Sequence, residues 1–174
     1  MSIYTYTLTE AERQACTKFS NQIDVDYYSD RSGQNNEETK RKQQMLAKSS
    51  EYAVANYFFK IGWECTEPDI AIYSANEKSY SADLIAISKK QKVHSVAVKS
   101  IGKAESKKYG ISWVFQQNDN HINNPEPNDL IALCITSGYK VEIVKIMYVK
   151  DIHGKFKPTK MNFSDKKAIY LEDL

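Results

Sequence analysis

Cysteine is scarce in this chain, and the little there is does not cluster. Cys16, Cys65 and Cys134 are widely spaced, odd in number and free of any CxxC or Cys/His pattern, which excludes a disulfide framework and a zinc-ligand signature. They read as reduced core residues. No stretch approaches eighteen consecutive apolar residues, and the opening "MSIYTYTLTEAERQ" has no cationic region followed by an apolar run, so neither a membrane span nor a secretory leader is expected. An excess of one charge is missing too. Lys and Arg number 24 against 22 Asp and Glu, a net +2, which is too small to name a partner by itself. Internal repeats and low-complexity tracts are absent. The expectation is an intracellular, cytoplasmic, soluble protein with no membrane association.

What is present suits one folded domain: 174 residues, 41% of them hydrophobic, suffice to bury a core. The sequence predicts a helix over 8–28, with Thr9 as cap and Glu12 at capping-box spacing. A polar loop follows over 29–36. A second helix starts at Glu37 and Glu38, capped by Asn35 or Asn36, and stops at Gly62. Leu46, Ala53, Tyr57 and Ile61, with Val54 and Phe58 beside them, keep a period near 3.6 along it. Short β-branched runs bounded by turn formers predict strands at 69–74, 80–88, 94–102, 129–136 and 141–149. A helix is expected around Trp113 to Gln117, running into an Asn- and Pro-rich loop. The fold class is α/β (α+β) with a mixed sheet. Residues 1–36 form an N-terminal helix and loop, about 37–150 the core, and 150–174 a C-terminal extension.

Three ionisable residues stand in apolar surroundings. Glu51 falls on the apolar side of the second helix, with Ala47 four before it, Val54 three after and Phe58 seven after. A buried unpaired carboxylate is costly, so Glu51 needs a cation, a metal or a donor, unless it sits at the margin of the stripe. In "YSADLIAISKKQKVHSVAVKS", Asp83 reads as a buried acid sharing a face with Ile85 and Ile87, and Lys99 shares its face with Ala97. If the two strands pair through the "SKKQK" turn, the ends carrying Asp83 and Lys99 approach each other. A cross-strand ion pair explains them as well as a site does. His94 falls on the face opposite Lys99 and reads as structural, and His121 reads as exposed.

This arrangement resembles the PD-(D/E)xK nuclease superfamily over residues 45 to about 136. There an Asp is followed, after a short loop, by Glu or Asp, any residue, and Lys on the next strand. A helical Glu often lies upstream and a Gln downstream. The matching residues are Asp83, Lys99, Glu51, and Gln116 or Gln117. Asp83 fits the core acid better than the literal Pro68-Asp69, which precedes the hairpin. The resemblance implies a restriction-endonuclease-like core, a mixed sheet of about five strands flanked by helices. It also implies Mg²⁺-dependent hydrolysis of DNA phosphodiesters, with Mn²⁺ as a substitute. Asp83, Glu51 and the backbone carbonyl of Val98 would hold the metal, Lys99 would orient water or stabilise negative charge, and Gln116 would position a water or the backbone. Restriction, homing, repair and junction-resolving enzymes, of bacterial, phage or mobile-element origin, belong to that superfamily, and a homodimer fits it.

One position departs from the pattern, since Ala97 stands where the second carboxylate belongs. Recruitment of another acid, natural loss of activity, or replacement of an original Glu or Asp would each produce it, and the otherwise intact Asp83, Lys99 and Glu51 favour the last. Basic patches occur at "TKRKQQMLAK", at Lys103, Lys107 and Lys108, and at "HGKFKPTKMNFSDKK", and they suit DNA phosphates. Gln117 belongs to an Asn/Gln-rich loop able to read base edges. Two functions therefore remain, a metal-dependent DNA endonuclease and a catalytically inactive nuclease-like nucleic-acid-binding module.

Overall fold

The computed structural model describes residues 2–23, 36–73, 82–117, 119–160 and 166–174. Strand β1 (Tyr4–Thr7) leads into helix α1 (Glu10–Gln22). The capping box at its start is complete: the Thr9 hydroxyl accepts the Glu12 N–H, and the Glu12 carboxylate accepts the Thr9 N–H at 2.7 Å. Helix α2 (Glu37–Lys60) is capped by Asn36, whose side chain accepts the Thr39 N–H at 2.8 Å. It ends where Gly62 takes φ +78, a left-handed conformation that favours glycine. The predicted loop over 29–36 and the end of the first predicted helix lie outside the described residues, Asn36 excepted.

The main sheet adds β2 (Glu64–Cys65), β3 (Leu84–Ile87), β4 (Val93–Gly102), β6 (Leu130–Ser137) and β7 (Lys140–Tyr148). Its six strands run in the order β1-β7-β6-β4-β3-β2. All neighbours are antiparallel except β4 and β6, which are parallel. A parallel pair needs a crossover. Here helix α3 (Lys103–Tyr109), strand β5 (Ser112–Gln116) and the single turn α4 (Asn120–Asn123) supply it. Strand β5 also starts a second sheet of order β5-β9-β8, with β8 (Lys157–Pro158) and β9 (Lys166–Tyr170).

The main sheet is buried on both faces, which explains why β6 reads "LIALCIT" without alternation. On one face Val54 and Phe58 of α2 and Cys16 of α1 pack with Leu84, Ala86, Val96 and Ala132. On the other, Trp113 and Phe115 of β5 and Ile169 of β9 pack with Ile131 and Leu133. At the register shift between Leu133 and Cys134, the Cys134 carbonyl accepts the buried Trp113 indole N–H at 2.9 Å. The three cysteines are free thiols, and burial pushes Cys16 and Cys65 up to about 11.

Several expectations need correction. "SWVFQ" is the strand β5, not a helix: Trp113 and Phe115 are buried while Val114 and Gln116 are half-buried, a period of two. Residues 69–73 form no strand, and residue 74 lies outside the described residues. β1 was not expected, yet it forms an edge of the main sheet. Within the C-terminal extension, 150–174, strands β8 and β9 form the second sheet with β5. Long helices cover one face only, and the other carries that sheet. No helix among the described residues is long and apolar enough to cross a membrane.

Candidate active site

The buried face of α2 carries three consecutive polar residues, Ser49, Ser50 and Glu51. The serines satisfy themselves on their own helix, bonding the Met45 and Leu46 carbonyls at 2.8 and 3.0 Å. Glu51 has no such recourse, and it is only 4% exposed. It takes the ammonium of Lys48, one turn earlier, which lies 3.0 and 2.8 Å from its two oxygens and 5.2 Å from the centre of the Phe19 ring. Burial pushes the Glu51 carboxyl up to about 8; the Lys48 charge opposes this, and the charges of Asp83 and Asp69 add to it. Glu51 therefore sits within electrostatic reach of both aspartates.

Asp83 is exposed rather than buried, because it precedes β3 where main-chain pairing stops. The last β3–β4 pair is Leu84↔Val96, so Asp83 comes next in line to Ala97. Its Oδ2 accepts the Val98 N–H at 2.7 Å, a side chain replacing a ladder bond. The Val98 carbonyl shares that strand edge with its N–H. Ala97 itself is buried, at 8% exposure.

Lys99 is one residue further along β4 and faces the second sheet, away from α2. Its ammonium lies 3.5 Å from Asp119 Oδ2 and 5.5 Å from the centre of the Phe115 ring. Among the described residues its ion-pair partner is Asp119, so the Asp83–Lys99 cross-strand pair is not formed. Gln116 lies opposite Lys166 across β5 and β9. Gln117, in the turn after β5, is exposed, and its carbonyl accepts from Asn123 Nδ2 at 2.8 Å.

Lys103, Lys107 and Lys108 are exposed on α3, a helix with no buried residue. Lys103 lies 3.5 Å from Glu142, and Lys108 rests over the Tyr109 ring. His94 is structural as expected: it is 2% exposed, bonds the Asn128 carbonyl at 2.9 Å and stacks on Trp63. His121 is half-buried rather than exposed, because its ring lies between the Leu130 carbonyl and the Asp129 carboxylate.

The structure thus ties Asp83 to Val98 by a hydrogen bond, leaves Glu51 in electrostatic reach of Asp83, and holds Lys99 on the neighbouring stretch of β4. Sequence reasoning passed over Lys48 and Asp119. The first was legible as a lysine three positions before a helical glutamate; the second meets Lys99 only through the folding of the β5–α4 loop. Carboxylate and carbonyl oxygens suit a hard cation such as Mg²⁺. Ala97 adds no carboxylate to these oxygens, and among the described residues no three His, Cys, Asp or Glu side chains converge to hold a metal. No known protein family, curated protein or solved structure matches this chain.

Proposed function

We propose that this protein is a metal-dependent DNA endonuclease domain of the PD-(D/E)xK kind whose hydrolytic centre lacks one carboxylate, so that the chain binds DNA and cuts it feebly or not at all. The observation that carries the reading is the bond from the Val98 N–H to Asp83. It ties the acid to β4 between Ala97 and Lys99, the relation that the family motif requires. The sheet supports it: β2, β3, β4, β6 and β7 are neighbours in chain order, and only β4 and β6 are parallel. With β1 added at one edge these make a mixed sheet of six strands, with α2 and its Glu51 packed on one face.

In this reading Asp83, the Val98 carbonyl and Glu51 would hold Mg²⁺. The ion, when bound, supplies charge neutralisation at the scissile phosphate and a more acidic water. Asp83 is ready for this, since one oxygen is fixed by Val98 and the residue is open to solvent. Glu51 is available only in competition with Lys48, which engages both of its oxygens. Lys99 places a point charge where a phosphate oxygen or an attacking water can meet it, and Asp119 holds that charge in place. Gln116, on a strand rather than a helix, lies beside Lys166 at the rim and is assigned to positioning a water or the DNA backbone.

Ala97 favours a second reading, a nuclease-like module that binds nucleic acid without cutting. The substitution Ala97→Glu separates the two. On DNA that the protein binds, it is expected to raise Mg²⁺- or Mn²⁺-dependent cleavage of supercoiled plasmid by about 10² to 10³, the usual worth of one preorganised charge in a reaction centre. EDTA is expected to abolish the gain. A variant that binds DNA and stays inert with either metal leaves the binding module as the function.

A further inference from the structure

Four side chains form a continuous row on the sheet face opposite α2. The Lys99 ammonium lies 5.5 Å from the Phe115 ring centre. Phe115 meets Phe156 edge to face at 5.2 Å, and the Lys167 ammonium lies 4.7 Å from the Phe156 ring centre. Two lysines, on strands β4 and β9, thus rest on one aromatic pair. Lys167 pairs with Phe115, and Lys166 with Gln116, in the β5–β9 register. The Lys167 ammonium also bonds the Asn123 side-chain carbonyl on α4.

We infer that Lys167, set beside Lys99 by the Phe115–Phe156 pair, forms with it a second contact surface for a nucleic-acid backbone. The inference rests on the nuclease reading and assigns it a DNA-binding arm that the motif does not contain. Lys167 donates to Asn123, a neutral amide that leaves its positive charge in place. Among the described residues, Asp119 pairs with Lys99 and Asp173 with Lys157. Lysines and amide side chains are what phosphate and sugar oxygens take as donors. A stem held against a ring loses less freedom when its ammonium meets a phosphate. Lys99 belongs to both the row and the motif, so a strand lying along β9 passes directly to the Asp83 end of β4.

The test is fluorescence anisotropy of labelled duplex and single-stranded DNA titrated with the native chain over a range of salt, beside K167Q, K157Q and K103Q/K107Q/K108Q. The K167Q variant is expected to lower the slope of log affinity against log salt by about 0.9 on duplex, or about 0.7 on single strands, for one lost phosphate contact. K157Q, on the same small sheet but paired with Asp173, is expected to leave the slope unchanged. Circular dichroism and melting identical to the native chain keep a folding defect from imitating the result. An unchanged slope in K167Q, with a reduced one in the α3 triple variant, overturns this surface and leaves the nuclease reading standing. A loss in K157Q as large as in K167Q also overturns it, as diffuse charge. A native chain that binds neither DNA removes both the surface and the reading beneath it.

Discussion

The Lys48 ammonium sits astride the Glu51 carboxylate, touching both oxygens at 3.0 and 2.8 Å inside the α1–α2 packing. A buried acid and its internal cation thus lie one helical turn apart, within electrostatic reach of Asp83. Removing the cation leaves Glu51 to bury a lone carboxyl. Lys48→Met is expected to destabilise the fold by roughly 1 to 3 kcal/mol, the cost of an orphaned buried polar group that can take up a proton. Urea denaturation at neutral pH measures it, and an unchanged midpoint would show that the pair contributes nothing to stability.

The same carboxyl makes stability depend on pH. Its folded value is about 8, against an unfolded value of 4.5. Between these the folded chain holds a proton that the unfolded chain releases, so this contribution is full below about pH 4.5 and is lost as pH rises to about 8. The unfolding free energy is expected to fall from pH 5 to pH 8. Glu51→Gln should flatten that decline. An equal decline in Glu51→Gln would assign it to other groups.

Asp83 does two separable things. As an acceptor it completes the Val98 N–H, and as a charge it faces the candidate centre. Asp83→Asn keeps an acceptor and is expected to stay within about 0.5 kcal/mol of the native stability, whereas Asp83→Ala should cost about 1 kcal/mol, the usual net worth of such a bond. Combined with Ala97→Glu, both should erase the gained cleavage. Retained cleavage in either would remove Asp83 from the centre.

Lys99 is expected to be indispensable in the Ala97→Glu background, and Lys99→Ala should return plasmid cleavage to the level of the native chain. Asp119→Asn in that background leaves Lys99 in place but removes its charge partner. A shift of the pH–rate profile with DNA affinity retained is the expected signature. Identical profiles with and without Asp119 would make the contact merely structural.

Much of this was readable from the residues, and the boundary is physical. The capping box at Thr9 and Glu12, the apolar stripe of α2 and its stop at Gly62 are set by neighbours three or four positions apart, as are the strands around Lys99 and Ile131. Glu51 announced itself because a carboxylate broke an apolar face. The exposure of Asp83 did not, since it depends on where the β3 ladder ends. Nor did strand β5: "SWVFQ" has too few residues to separate a helix from a strand, and only pairing with β9, some fifty positions downstream, decides it. Asp119 reaches Lys99 by the same kind of long-range closure.

The pairing of β1 with β7 has a kinetic consequence. Tyr4 lies against Ile143 and Thr7 against Lys140, while Trp113 of the small sheet waits for Ile169. Each of these two pairings therefore closes a long loop, the kind of connection that slows folding because chain entropy is lost before the contact forms. During synthesis residues 4–7 are made long before their partner strand, residues 140–143. Until then the β7-facing side of β1 has no native neighbour, and the apolar face of α2 has only part of its sheet. Cutting the chain between β5 and β6 would separate both strand pairs, so neither fragment is expected to fold alone.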